Sequence, residues 1–463
     1  RQADGAVSDT YFMRRGYHSS AVLGSKVYID GGTFSYSSGD GVQYQYSDTL
    51  LYIDISNDFT PTSASIMSIE KPSGVPNLVY GGSWVNDGLM YTGFAGRYPP
   101  VGDEAWQDSG LWSFEPSGDG STGTWTNLND TAASYFTTGS RAYLGSVASG
   151  NGTGYFLGGN MDYSANETYV PISGLLSYDF GTNTVTNTTV TGISMEGWAS
   201  YAQMLYVPNF GPSGVVISAG GFRDDPDDEY MESLSTIQIL DPSTGTWYEQ
   251  ATTGAAPQTR KEFCMTGAPS SNETYEIVVY AGWNGTLGDD AIPWDDLYVL
   301  SLPSFHWFQA SYDALHPRHG LTCEHIGGGQ VLAIGGVDTT QLYSPDYYLG
   351  PYRTQDTHPQ GLAVFDLNSM SWTDAFDSNK TVYVQSSTVQ AYYAGNSRTA
   401  DFTSSALEQV FSVQNFTAAA TATSSSSSSS SSAGAIAGGV VGGVAAAAIV
   451  AASVFYFLRR KRR

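Results

Sequence analysis

Short apolar runs rich in Val, Ile, Tyr and Phe recur along the first 375 residues, and six of them end in small residues. They are Val27-Tyr28-Ile29-Asp30-Gly31-Gly32, Leu89-Met90-Tyr91-Thr92-Gly93-Phe94, Tyr155-Phe156-Leu157-Gly158-Gly159, Val216-Ile217-Ser218-Ala219-Gly220-Gly221, Ile277-Val278-Val279-Tyr280-Ala281-Gly282 and Val331-Leu332-Ala333-Ile334-Gly335-Gly336. Their last residues lie 62, 65, 62, 61 and 54 positions apart. Runs this short, β-branched and aromatic, predict strands rather than helices, and the even spacing predicts a repeat.

After a variable polar loop, each run is followed by a second apolar strand that mostly ends in an acid: Leu51-Tyr52-Ile53-Asp54, Trp112-Ser113-Phe114-Glu115, Leu176-Ser177-Tyr178-Asp179, Ile239-Leu240-Asp241, Tyr298-Val299-Leu300-Ser301 and Val364-Phe365-Asp366. A turn, such as Asp241-Pro242-Ser243-Thr244-Gly245, leads on to a bulky residue that opens a further strand: Phe59, Trp125, Val185, Trp247, Trp307 or Trp372. An additional strand precedes each glycine-ended run, marked in four copies by Arg15, Arg141, Arg260 or Arg318. Four short strands per repeat, six times over, predict an all-β six-bladed propeller spanning residues 1–375. The glycine pairs suit strand ends where backbones crowd.

The apolar run with Gly-Gly, the strand ending in Asp and the Trp about seven residues on resemble the kelch repeat over about residues 10–375. The opening Arg14-Arg15-Gly16-Tyr17-His18-Ser19-Ser20 further resembles fungal cell-surface kelch proteins with a single C-terminal anchor. Gly93-Phe94, Ala281-Gly282, Val185 and Phe59 depart from the repeat. The ring closes either through residues before Arg15 or through the strand-like Thr381–Val389, within a C-terminal extension at 376–420.

Beyond the extension the pattern changes. Residues 421–432 form a Ser/Thr-rich stalk with nothing to bury, expected to be disordered. Residues 433–458 are uncharged and, at about 1.5 Å per residue, long enough for one transmembrane helix. The basic residues 459–463 place the tail in the cytoplasm and the propeller outside, a single-pass type I plasma-membrane topology. The chain opens at Arg1 without an apolar leader, from which we expect a secretory signal to have been removed. Eight Asn-x-Ser/Thr acceptors, at Asn129, Asn151, Asn166, Asn187, Asn272, Asn284, Asn379 and Asn415, fit export as a glycoprotein.

Composition sharpens the picture. The net charge of −25 excludes nucleic acid as a partner. The predicted second-to-third-strand loops, 33–48, 95–109, 160–174, 222–235, 283–296 and 337–361, hold 20 of the 44 acids and only Arg97, Arg223 and Arg353 as bases. These loops share one face of the disc, which is therefore the candidate binding face. Its candidate residues are Asp103, Glu104, Trp106, Asp224, Asp225, Asp227, Asp228, Glu229, Trp283, Asp289, Asp290 and Trp294. Turn capping accounts for Asp48, Asp108 and Asp296. Calcium is a candidate ligand for Asp224–Glu229, though the loop lacks the spacing of a known calcium motif.

The kelch resemblance also implies an alternative activity, since galactose-oxidase-like and glyoxal-oxidase-like copper enzymes use a Tyr cross-linked to Cys, two His and a second Tyr. His316, His319 and His325 cluster near Cys323, but no local pattern matches that set, and His18 and His319 occupy equivalent repeat positions. No cofactor is expected. Export permits a Cys264–Cys323 disulfide, but strand alternation points offset positions to opposite faces and does not predict it; two buried thiols are the alternative. The favoured function is a surface-displayed binding module for an extracellular protein or polysaccharide, with a copper radical oxidase and a structural wall spacer as the other readings.

Overall fold

The computed structural model describes residues 10–93, 110–128, 140–163, 168–223, 225, 229–286, 288, 295–311, 317–341 and 349–416. Six sheets account for the repeats, each with four antiparallel strands in up-and-down order; in blade five the short strand Thr253–Gly254 adds a fifth, parallel to the outermost. Blade one comprises Ser19–Leu23, Lys26–Asp30, Thr49–Asp54 and Ile66–Glu70. Blade two comprises Trp84–Asn86, Leu89–Thr92, Trp112–Pro116 and Gly123–Asn127. Blade three comprises Ser146–Gly150, Thr153–Leu157, Leu175–Asp179 and Thr184–Thr188. Blade four comprises Gln203–Val207, Val215–Ala219, Thr236–Asp241 and Thr246–Ala251. Blade five comprises Cys264–Pro269, Tyr275–Tyr280, Leu297–Leu302 and His306–Gln309. Blade six comprises Arg318–Gly327, Gln330–Asp338, Leu362–Asp366 and Ser371–Thr373.

The first strands of successive blades touch in cyclic order, and blade six meets blade one, so the sheets form a closed ring. The apolar runs are continuous because both faces of every sheet are covered. In blade one, Val27, Ile29, Leu51 and Ile53 pack on Leu332, Ile334, Leu362 and Val364 of blade six. The alternate positions Tyr28, Leu50 and Tyr52 pack on Met90 and Phe114 of blade two. Each of the six interfaces between neighbouring blades has such a core, and this lateral burial is the main source of stability.

Neither predicted closing segment completes a blade, since the four main strands of each blade come from its own stretch of chain. Residues 381–386 add no strand, and the extension instead carries helices α1 (Ser387–Gly395) and α2 (Ser405–Ser412), capped by the hydroxyls of Ser386 and Ser404. Val389 of α1 enters the core between blades five and six. Leu407, Val410 and Phe411 of α2 enter the core between blades four and five. Phe59 also differs from expectation: it precedes the fourth strand of blade one and forms a bridge with Phe376. Trp247 and Trp307 open their strands and are buried, whereas Trp372 is 36% exposed.

Three of the segments leading into a blade, two of them carrying the marker arginines Arg15 and Arg141, form strands outside the blades. Phe12–Gly16, Ser140–Tyr143 and Ala199–Ser200 pair with the strands Thr33–Ser38, Asn160–Tyr163 and Phe222–Arg223 of the second-to-third-strand loops, making small three-stranded sheets. In blade six the same segment is fused into the long strand Arg318–Gly327. Loops and interblade connections therefore share one face, as antiparallel order requires. The first-to-second-strand turns occupy the other. Among the described residues no helix is long and apolar enough to cross a membrane, and residues 421–463 lie outside them.

Candidate functional site: the axial channel and its rim

Where each blade begins, one residue adopts a left-handed backbone: Tyr17, Tyr80, Leu144, Tyr201, Glu262 and Gly320, with φ between 54° and 66°. Only the last is glycine, and a side chain in this region costs roughly 1 kcal/mol or more. The conformation turns the chain inward so that neighbouring blades bond across the axis. Tyr17 N–H donates to Gly320 O (2.8 Å), Tyr80 to Tyr17 (3.0 Å), Tyr201 to Leu144 (2.8 Å), Glu262 to Tyr201 (3.2 Å) and Gly320 to Glu262 (2.9 Å). Blade six is thereby tied to blade one without an exchanged strand.

The glycine pairs make a second belt of contacts between blades. Gly32 N–H donates to Leu78 O, Gly159 to Ala199 O, Gly221 to Arg260 O and Gly282 to Arg318 O. The arginines fix these corners: Arg260 donates to Ala281 O and to Asp296, and Arg318 to Gly335 O and Asp356. Asp296 is thus an arginine partner rather than a turn cap.

Below the rim runs a channel of about 400 Å³, lined by the first strands of all six blades. Its polar lining is hydroxyl and amide, including Ser20, Ser149, Gln203, Thr266 and Thr322, with two carboxyl groups, Glu262 and Glu324. Among the described residues that line it there is no Lys or Arg. Ser20 Oγ donates to Glu324 (2.7 Å). Burial raises Glu324 to about 7, opposed by that hydrogen bond. His18 and His325 also line the channel, and burial lowers them to about 3 and about 4.

Glu262 sits at the rim with its side chain 8% exposed, Oε2 4.0 Å from His319 Nε2. Burial raises it to about 7, although Lys261, Trp283 and Tyr17 pull the other way. His319 is fully buried and lowered to about 3, chiefly by burial and then by Lys261 and Arg14; its Nδ1 meets Thr339 Oγ1 at 2.9 Å. Glu262 Oε2, His319 Nε2 and Trp283 Nε1 are all buried and none meets a partner at full hydrogen-bonding geometry, although Trp283 and Tyr17 approach Glu262 closely enough to favour its charged form. Three such atoms in one place are unusual in a folded protein and single out the rim within the described residues.

Of the predicted face residues, Asp103, Glu104, Trp106, Asp224, Asp227, Asp228, Asp289, Asp290 and Trp294 lie outside the described residues. Glu229 is exposed. Asp225 is paired with Arg223 at 2.7 Å. Trp283 is only 7% exposed, its ring stacked on His319 at 4.5 Å and contacted by the Lys261 ammonium at 4.9 Å. Both of its faces being engaged, it is no open stacking platform. Several other acids of this face are internal: Arg14 pairs with Asp338 and Asp356, and Arg260 with Asp296. The rim itself had no sequence signal as a ring, because Tyr, Leu and Glu do not announce a left-handed backbone. The usable clue was position, since Tyr17, Glu262 and Gly320 each follow a marker arginine by two residues.

Cys264 and Cys323 form a disulfide. The alternation argument misjudged the geometry. Glu262 and Gly320 lie at the same level, so the cysteines sit two and three residues beyond the rim and point to opposite faces of their own sheets. In adjacent blades those are the two faces that confront each other. The six described acceptor asparagines, Asn151, Asn187, Asn272, Asn284, Asn379 and Asn415, are all exposed; Asn129 and Asn166 lie outside the described residues.

No protein-family model matches the chain. It is 23% identical over 417 residues, 80% of its length, to a Kelch repeat-containing protein of Arthroderma benhamiae, and covers 58% of that relative. The likeness to a kelch-repeat protein and the six small antiparallel sheets point the same way.

Proposed function

We propose that this chain is a kelch-type binding module displayed at the cell surface, engaging a protein partner through the loop-bearing face around the channel rim. The observation that carries the proposal is where the chain leaves the propeller. The extension crosses the first-to-second-strand turns of blades six, five and four. Tyr383 O accepts from Ser271 N–H, Asn272 donates to Gln385 (2.7 Å), Gly211 N–H donates to Val413 O and Asn415 N–H to Asn209 O (2.8 Å). Phe416 is thus delivered on the face opposite the loops. A surface anchor attached beyond it would leave the loop-bearing face free for a partner.

Four of the six described acceptor asparagines suit the same orientation, while Asn187 lies in the fourth strand of blade three and Asn284 on the loop-bearing face beside Trp283. Asn151 and Asn272 lie in first-to-second-strand turns, and Asn379 and Asn415 in the extension. Glycans at these four positions would stand away from the rim. The copper-oxidase reading is disfavoured by a positive finding, since both cysteines are committed to the disulfide and neither is free for a thioether to tyrosine.

Epitope tags at the two ends of the full chain, probed on intact and permeabilised cells, test the display; an N-terminal tag hidden until permeabilisation overturns it. Salt-sensitive capture of a basic polypeptide by the same cells, lost when the acids of 224–229 become amides, supports the partner surface. Capture indifferent to those changes overturns it.

A further inference from the structure

We propose that the axial channel is a binding site for an alkylammonium chain, neutralised by Glu262 at the rim and Glu324 deeper in the wall. The proposal rests on the binding-module reading and names what the partner would insert. Glu324 lies four residues beyond Gly320 in the blade-six strand, and Gly320 is level with Glu262. At about 3.3 Å per residue the two carboxyl-bearing positions are separated by roughly 13 Å along the axis, the scale of an extended amine chain. The channel volume of about 400 Å³ falls within the roughly 300–1,000 Å³ of small-ligand pockets.

Three further observations select an amine over an anion or a neutral polyol. The channel lining offers two carboxyl groups and, among the described residues, no Lys or Arg. Glu262 Oε2 is buried with no partner at full hydrogen-bonding geometry, Trp283 and Tyr17 being its nearest donors. Tyr17, Tyr80 and Tyr201 line the same end of the channel; Tyr17 and Tyr80 pack on each other with ring centroids 4.1 Å apart, and the cluster already attracts one ammonium, that of Lys261 over Tyr201. The charged and titratable groups facing Glu262 are Lys261, Tyr17, Tyr80 and His319. Lys261 is drawn aside over the rings of Tyr201 and Trp283, at 5.0 and 4.9 Å, and is absent from the channel wall. Around Glu324 the wall carries Ser20, His18 and His325. An entering ammonium drives each glutamic acid to glutamate and expels its proton to solvent, so binding should release protons below about pH 7 and tighten as pH rises.

The test is calorimetric titration of the protein with hexamethylenediamine, hexanediol, a lysine-containing tetrapeptide and its Nε-acetyl form, in buffers of differing ionisation enthalpy. Expected are diamine binding with net proton release, at least about tenfold tighter at pH 8 than at pH 5.5, and no binding of the diol. Glu262→Gln and Glu324→Gln should each weaken it about tenfold or more. Gln203→Lys, which places an ammonium in the same wall while sparing both carboxyl groups, should abolish it, and guards against misreading a folding defect. Binding of the tetrapeptide but not its acetylated form assigns the source to a partner's lysine; diamine binding alone assigns it to a free polyamine. Equal binding of diol and diamine, or no amine binding at all, overturns the site. Basic-polypeptide capture that persists in both glutamine variants would leave the outer-face reading standing without the channel.

Discussion

Cys264 and Cys323 join the first strands of blades five and six with their Cα atoms 5.4 Å apart, beside the blade-six strand that closes the ring on blade one. The bond spans 59 residues of chain, so it restricts the unfolded ensemble substantially. The double variant Cys264→Ala/Cys323→Ala is expected to lose roughly 2–4 kcal/mol in chemical denaturation. An unchanged midpoint would mean that the backbone ring alone determines closure.

The glycine corners give a second, opposite pair of expectations. Gly159 has φ 73°, and a Cβ there would lie 2.3 Å from Tyr143 O. Because the obstacle is backbone, Gly159→Ala should cost several kcal/mol, on the order of 2–4. Blade five departs from the pattern with Ala281 at φ 63°, a strained alanine. Ala281→Gly relieves that strain and should be neutral or stabilising by up to about 1 kcal/mol, readable in parallel thermal melts.

The repeat was legible because burial on both sheet faces writes itself as continuous apolar runs, and Val27-Tyr28-Ile29 divide alternately between blades six and two. The marker arginines were legible as landmarks but not as corner braces, since their partners Asp296 and Asp356 are distant in sequence. From sequence, Asp296 reads as a turn cap and Asp356 simply as one of the acids of the binding face. Thr381–Val389 has strand-like composition, yet it meets turns instead of a free sheet edge. Tyr383 packs on Gly329 and its carbonyl accepts from Ser271, so no ladder is available and the chain turns helical at Ser387.

The extension should be part of the fold and not a loose tether. Phe411 is 1% exposed and packs against Phe210, Phe305 and Phe402 at 4.9, 5.2 and 5.4 Å between ring centroids. Phe411→Ala should cost about 3–5 kcal/mol and deprotect amides of blades four and five first in hydrogen exchange. Uniform deprotection around the ring would show that the extension acts on all blades alike.

The pH dependence of stability follows from two opposed sets of buried groups. Glu262, Glu276 and Glu324 are raised by burial to about 7; the folded state holds their protons between roughly pH 4.5 and 7, where the unfolded chain has released them. Stability from this set is complete below about 4.5 and is lost as pH rises to 7. His18, His319 and His325 are lowered by burial to about 3, 3 and 4. Their contribution is complete above about 6.5 and is lost as pH falls, because the unfolded histidines take up protons that the folded ones refuse. Between about 4.5 and 6.5 three groups of each kind cancel, so unfolding free energy should be nearly flat there, falling on the acid side below 4.5 and by a smaller step between 6.5 and 7. Glu324→Gln keeps the oxygen that accepts from Ser20 while removing the ionisation. The variant should match the parent at pH 4.5 and exceed it at pH 8 by about 1–3 kcal/mol. A variant weaker than the parent at pH 8 would show that the channel carboxylate is stabilised when ionised, contrary to the direction given by its burial.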